Sequence, residues 1–235
     1  MHRRFPLEQP VLILGGFLIT DEAYEPLASW LRSRINQPVV VVHASRLDWL
    51  LTSQCSGWIR LLDRVDAAVR TLHSDSPTGR VTLIGHSSGG VMLRPYLSHQ
   101  AFGGRAYGGE AFCNHLITLG SPHQALRATS LRSLVSQTFP GCPESRTVEY
   151  VSIAGELNLQ GPQSSSFSRL SARSSYRQIC GDSSSVGDGL VPVCSALLED
   201  SIPIVLPNTA HGGLFGQPWY GSPERIKDWW SAIAD

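Results

Sequence analysis

Charge is scarce in this chain of 235 residues: Asp, Glu, Lys and Arg make up 16 % of it, and 19 basic residues cancel 19 acidic ones. A soluble protein usually carries about a quarter. So sparse and balanced a set excludes a basic stripe for nucleic acid and an acidic tail. Cysteine is also thin. The five residues Cys55, Cys113, Cys142, Cys180 and Cys194 are odd in number and widely spread, which excludes a disulfide framework. There is no C-x-x-C and no Cys/His cluster at zinc spacing, so neither a metal nor another cofactor is expected. Long apolar runs are missing too. The stretch "VLILGGFLI" is short and broken by Gly15 and Gly16, and "MHRRFPLEQP" is basic with no apolar segment behind it. Neither a membrane span nor a signal peptide is read here, and the expectation is a cytoplasmic protein with reduced thiols.

What is present is ample apolar residue, 42 %, with 22 glycines and 15 prolines to build ordered loops. That suffices for one domain over 1–235. Runs of buried-strand type occur at "PVLILGG" (10–16), "PVVVV" (38–42), "RVTLIG" (80–85), "HLITLG" (115–120), "VEYVSIAG" (148–155) and "SIPIVLP" (201–207). Helical patterns lie between them. Leu27, Leu31 and Ile35 follow Pro26, and Cys55, Trp58, Ile59, Leu62, Val65, Val69 and Leu72 trace one face of a long helix. "SGGVMLRPYLS" reads as a helix kinked or ended by Pro95. The last helix opens with Ser222 as N-cap and Pro223 at its first position, and turns Trp229, Trp230 and Ile233 inward. Strands alternating with amphipathic helices predict an α/β fold: a mostly parallel sheet covered on both faces, with little or no cap. Segments 121–147 and 156–187 fit no element. Each is expected to be a lid, a substrate-facing wall or a solvated loop.

The chemistry centres on Gly85-His86-Ser87-Ser88-Gly89. G-x-S-x-G fits only with Ser87 at its centre, because His86 stands where centring on Ser88 would need glycine. Such a pattern between a strand and a helix makes a sharp, strained turn, and small residues on either side let the two backbones close up. A serine hydroxyl needs a base, and the base needs an orienting acid. Of the histidines beyond the turn, His99 lies on the following helix and His115 begins a strand. His123 follows "GSP" at a strand tip, and His211 lies in the Gly-rich "NTAHGGLFG" after the last strand. His211 is the expected base, with His123 shaping the wall. Asp188 in "VGDGLV" is the expected acid. Asp182 in "CGDSSS" competes, while Glu199 and Asp200 come too late. The developing oxyanion calls for backbone N–H donors, expected at Ser88 and at Phe17 in "LGGF".

On these residues the chain resembles the α/β-hydrolase superfamily, and within it the lipase-like serine esterases. "LGGF", "GHSSGG", "LITLGSPHQA", "GDGLVPVCSALL" and "AHGGLF" carry the resemblance along nearly the whole chain, the acid segment being similar to that of the bacterial true lipases. There are departures. Gly15 stands where many lipases have histidine, and Gly212, Gly213 and Leu214 follow His211, so the calcium of those lipases is not carried over. The resemblance offers Cys180 as a partner for Cys194. It implies an esterase acting on small-molecule or lipid-like acyl esters, with an apolar pocket drawn from Phe17, Leu18, Leu126 and Leu214 and with peripheral membrane contact as one mode of access. An acyl-thioesterase or acyltransferase using the same residues, or a non-catalytic binding protein on the same fold, are the alternatives.

Overall fold

The computed structural model describes residues 8–234. The basic N-terminal residues 1–7, on which the reading of no signal peptide partly rests, lie outside them. Six strands form one all-parallel sheet: β1 (Val11–Leu14), β2 (Val39–Val41), β3 (Val81–His86), β4 (Cys113–Leu119), β5 (Glu149–Glu156) and β6 (Ile202–Pro207), in the order β2-β1-β3-β4-β5-β6. Parallel neighbours need crossovers. These are supplied by α1 (Glu25–Arg32), α2 (Arg46–Leu51) with α3 (Cys55–Ser74), α4 (Ser88–Leu97), α5 (Ser130–Thr138), and α6 (Ser166–Cys180) with α7 (Val193–Ala196). The final helix is α8 (Pro223–Ala234).

Continuous apolar strands are explained by cover on both faces. Leu12 and Leu14 of β1 and Leu83 of β3 join a cluster with Leu61, Leu62, Val65 and Val69 of α3 and Val91 and Leu93 of α4. Val11, Ile13 and Ile84 point the other way, against Leu27 and Leu31 of α1 and Ile226 and Trp229 of α8. Period-2 alternation thus splits one apolar run between two cores. The two outer strands depart from the buried-strand reading. β2 and β6 lie at the sheet edges, only Val39 of the first and Leu206 of the second are buried, and β6 accommodates Pro203, whose missing N–H an edge tolerates.

Three local expectations change. Helix α4 runs through Pro95 for two further residues instead of breaking there. The hydroxyl of Ser222 turns away from the helix start: it accepts from the Trp219 N–H (3.0 Å) and donates to Gln217 Oε1 (3.1 Å). The segments 121–147 and 156–187 contain α5 and α6 respectively, each opened by a side-chain cap, from Thr129 to the Arg132 N–H and from Ser165 to the Ser168 N–H.

Candidate active site

The turn after β3 is strained where the sequence predicts it. Ser87 has φ 53° and ψ −123°, a backbone conformation rare for any residue with a side chain. The flanking glycines explain how it is accommodated. A Cβ on Gly85 would lie 2.4 Å from the Cα of Gly90, and one on Gly89 would lie 2.3 Å from the Leu14 carbonyl oxygen. Only bare backbone lets β1, β3 and α4 meet here. The Ser87 N–H is spent on the Leu119 carbonyl (2.9 Å), which locks the turn onto β4.

His211 and Asp188 converge on this serine from the far side of the sheet. Asp188 sits in the tight turn between α6 and α7, fully buried, and accepts four hydrogen bonds. Oδ1 takes the N–H groups of Leu190 (3.0 Å) and Val191 (2.7 Å), and Oδ2 takes His211 Nδ1–H (2.8 Å) and the Tyr220 hydroxyl (2.8 Å). A carboxylate only accepts, so the proton of His211 lies on Nδ1. Its Nε2 then accepts from Ser87 Oγ, 3.0 Å away. The His211 N–H also donates to the Asp188 carbonyl (2.8 Å), a second tie between the two residues. Asp182 takes no part. It is exposed, and its carboxylate accepts from the Ser184 N–H (2.8 Å) and hydroxyl (2.6 Å), a local turn. His99 faces Glu110 on the surface.

Tyr220 escaped the sequence reading. It is fully buried, and burial beside Asp188 pushes its hydroxyl well above the usual tyrosine range, so it remains a donor. His86 escaped it as well. Its Nε2 faces the His211 carbonyl (2.9 Å), which can only accept, so that nitrogen carries the proton. Nδ1 then accepts from the Tyr24 hydroxyl (2.7 Å), which in turn accepts from the Gly16 N–H (2.8 Å). Complete burial holds His86 neutral, well below the usual histidine range, and the nearby His211 adds to this. One relay therefore joins the loop after β1 to the backbone of His211, through the residue just before Ser87.

Two backbone N–H groups beside the serine, those of Phe17 and Ser88, make no hydrogen bond to the described residues. Ser88 opens α4, where the first amides have no partner within the helix. The Gly16 loop lies against the turn: a Cβ on Gly16 would stand 2.9 Å from Ser87 Cβ.

Above Ser87 lies a cavity of about 1120 Å³. Phe17, Leu18 and Leu214 line it, as the sequence suggested, together with Trp49, Trp58 and Met92. Leu126 and His123 do not. Leu126 is 75 % exposed on the outer side of α6, because its backbone pairs with Ile179 at the end of that helix. His123 is buried beneath the wall with Nε2 3.1 Å from the Thr118 hydroxyl, and burial near Arg94 and Arg132 keeps it uncharged. All five thiols are free. Burial, with Cys180 nearby, raises the Cys194 thiol above the ordinary range. Among the described residues, no group of three His, Cys, Asp or Glu side chains is placed to hold a metal ion, and no helix is long and apolar enough to cross a membrane.

No protein-family model matches the sequence, and neither does any curated protein. Solved structures do. A lipase of Bacillus licheniformis in its mature form superimposes with a TM-score of 0.61 at 15 % identity, over 89 % of this chain and 87 % of that one. A phospholipase of Legionella pneumophila, in complex with thio-NAD, gives 0.60 at 17 %, over 87 % of this chain and 52 % of that one, so the match spans about half of that protein. An alpha-beta serine hydrolase homologue of Coxiella burnetii gives 0.52 at 9 %, over 97 % and 84 %. The chain has the α/β-hydrolase fold.

Proposed function

We propose that this protein is a serine hydrolase that cleaves carboxylic esters of apolar acyl chains through an acyl-enzyme on Ser87. The observation that carries the reading is the unbroken line Ser87 Oγ–His211 Nε2 (3.0 Å) and His211 Nδ1–Asp188 Oδ2 (2.8 Å), set on a strained serine beneath a large cavity. His211 takes the serine proton as Oγ attacks the acyl carbonyl. The tetrahedral oxyanion is held by the unspent N–H groups of Phe17 and Ser88, which act where charge develops. His211 passes its proton to the departing alkoxide. A water then attacks the acyl carbonyl, gives its proton to His211, and releases the acid as Ser87 recovers its hydrogen. Asp188 keeps the imidazole in the tautomer this requires and stabilises its charged form.

Two further features fit an amphiphilic substrate. Trp49, Trp58 and Met92 offer the acyl chain an apolar wall. At the mouth, large apolar side chains stay in solvent: Phe17 is 47 % exposed, Leu50 55 % and Leu214 63 %. Such a rim suits transient contact with a lipid surface. The test is a fluorophosphonate probe followed by p-nitrophenyl esters and acyl-CoAs of graded chain length. Labelling of the wild type that is lost in Ser87→Ala, with esters turned over ahead of thioesters, is the expected result. Labelling that survives in Ser87→Ala but not in Ser88→Ala overturns the nucleophile assignment. No labelling at all favours a binding protein on this fold.

A further inference from the structure

The walls of the cavity differ in charge. β1 and β2 lie on one side of β3 in the sheet, and β4 and β5 lie on the other. Phe17, Leu18, Trp49, Leu50 and Trp58, carried by segments from the first side, are apolar, and their polar neighbours in the wall, Thr52 and Ser53, carry no charge. The segment after β4 contributes Arg127, Thr129 and Arg132, and α6 contributes Gln178. No aspartate or glutamate lines the cavity.

Among the described residues, these two arginines differ from the six that are paired with a carboxylate. Arg32, Arg60, Arg64, Arg70, Arg105 and Arg225 each stand against a carboxylate. Arg127 makes no ion pair, and its guanidinium donates no hydrogen bond to the described residues. Arg132 donates one, from Nη2 to the Pro122 carbonyl (2.8 Å), and its Nε is buried without a partner. Burial lowers its affinity for the proton without reversing its charge. The side-chain amide of Gln178, an exposed residue, likewise makes no hydrogen bond to the described residues. The asymmetry continues outside the rim. Arg127, Arg173 and Arg177 line an adjoining recess of about 580 Å³, again with no carboxylate. A chain of zero net charge has gathered cations without carboxylate partners at one mouth: Arg132 is partly buried, and Arg127, Arg173 and Arg177 are exposed beside it, a set that favours a bound anion.

We infer that the preferred substrate is an anionic acyl ester: an apolar acyl chain lies along the tryptophan wall, and a phosphate or carboxylate in the alcohol portion is held by Arg127 and Arg132. This rests on the hydrolase reading and names the substrate class of the same site. Guanidinium forks suit either oxyanion, and Thr129 and Gln178 add neutral donors.

The test separates binding from turnover. Affinity of Ser87→Ala protein, in which the proposed nucleophile is absent, is measured by calorimetry for 1-decanoylglycerol, for 1-decanoylglycerol 3-phosphate and for inorganic phosphate. The same comparison is made in Arg127→Gln, Arg132→Gln and the double variant. The expected result is a preference for the phosphorylated ester over the neutral one of about tenfold or more, the scale of one charge-assisted contact. It shrinks in each single variant, vanishes in the double one, and is not matched by inorganic phosphate alone. Arg127 has no partner to lose, so its variant keeps the fold even if Arg132→Gln does not. Equal affinity for the two esters, a preference that outlives both substitutions, or inorganic phosphate binding as tightly as the ester overturns the inference. Turnover of both esters by unsubstituted protein, without preference, sinks this inference and leaves the hydrolase reading standing. Selective binding without turnover or fluorophosphonate labelling sinks the hydrolase reading, and the substrate assignment with it, and leaves only a binding site for anionic esters.

Discussion

Tyr220→Phe isolates one hydrogen bond at the heart of the site. The ring stays in its buried slot and only the oxygen is lost, so no packing change competes with the electrostatic one. Asp188 drops from four donors to three, and the one removed shares Oδ2 with His211 at 2.8 Å. A hydrogen bond to a buried charge contributes about 1.5–3 kcal/mol. In a protein of this size each kcal/mol moves Tm by about 2–4 °C, so a fall of several degrees is expected. The effect on turnover has a different sign. Tyr220 competes with the imidazole for the carboxylate charge, and without it more of that charge reaches the imidazolium. The acid limb of kcat/KM therefore moves to higher pH. The assay is a pH–rate profile on a neutral p-nitrophenyl ester, with a thermal melt on the same samples. An acid limb that stays put, or moves to lower pH, while Tm falls would refute the claim that Tyr220 acts through Asp188 on His211. It would leave Tyr220 as a packing residue.

Three other outcomes follow from the geometry. Burial holds His86 and His123 neutral, well below the ordinary histidine value of 6.5; the unfolded chain takes up protons there that the folded one refuses. Stability is therefore lost as pH falls through that value, with a limit of about 1.4 kcal/mol per pH unit for each histidine, and equal urea midpoints at pH 7.5 and 5.5 would contradict this. Gly89→Ala drives a methyl into the Leu14 and Gly15 carbonyl oxygens, at 2.3 and 2.4 Å; it should yield no stable protein, and a variant that folds and labels normally counts against the reading of this turn. Trp58→Ala removes a buried ring from the cavity wall, so the preferred acyl chain should lengthen while stability drops by about 3–5 kcal/mol; an unchanged chain-length profile places the acyl group elsewhere.

Much of this fold is legible in the sequence because a parallel sheet with two covered faces writes itself as apolar runs. The edges are less legible: "SIPIVLP" reads as buried although β6 is half-exposed, since its lack of an outer neighbour is a fact of topology. Helices α5 and α6 were hidden by composition. "SFSRLSARSSYRQIC" is rich in serine, a weak helix former, and only Ser168, Ala172 and Tyr176 of it are buried. The available signals were the caps, Ser165 before the helix and Gly181 in the left-handed region after it. At the site, Ser87, Asp188 and His211 stood out by motif and chain order. Leu126 was misplaced because Pro122 and Arg127, on either side of it in sequence, do line the cavity, while its own backbone pairs with the end of α6. Tyr220 and Tyr24 left no signal, as each meets its partner only through the folded chain.

The residue between Gly85 and Ser87 is usually written as x, a free position. Here it is specified from a distance. His86 must accept from Tyr24 on one edge and donate to the His211 carbonyl on the other, while Tyr24 holds the Gly16 N–H. Position 86 thus belongs to a different inheritance unit from the motif that contains it. Tyr24 and His86 should be gained and lost together over evolutionary time, and a graft of this turn into another scaffold will need both.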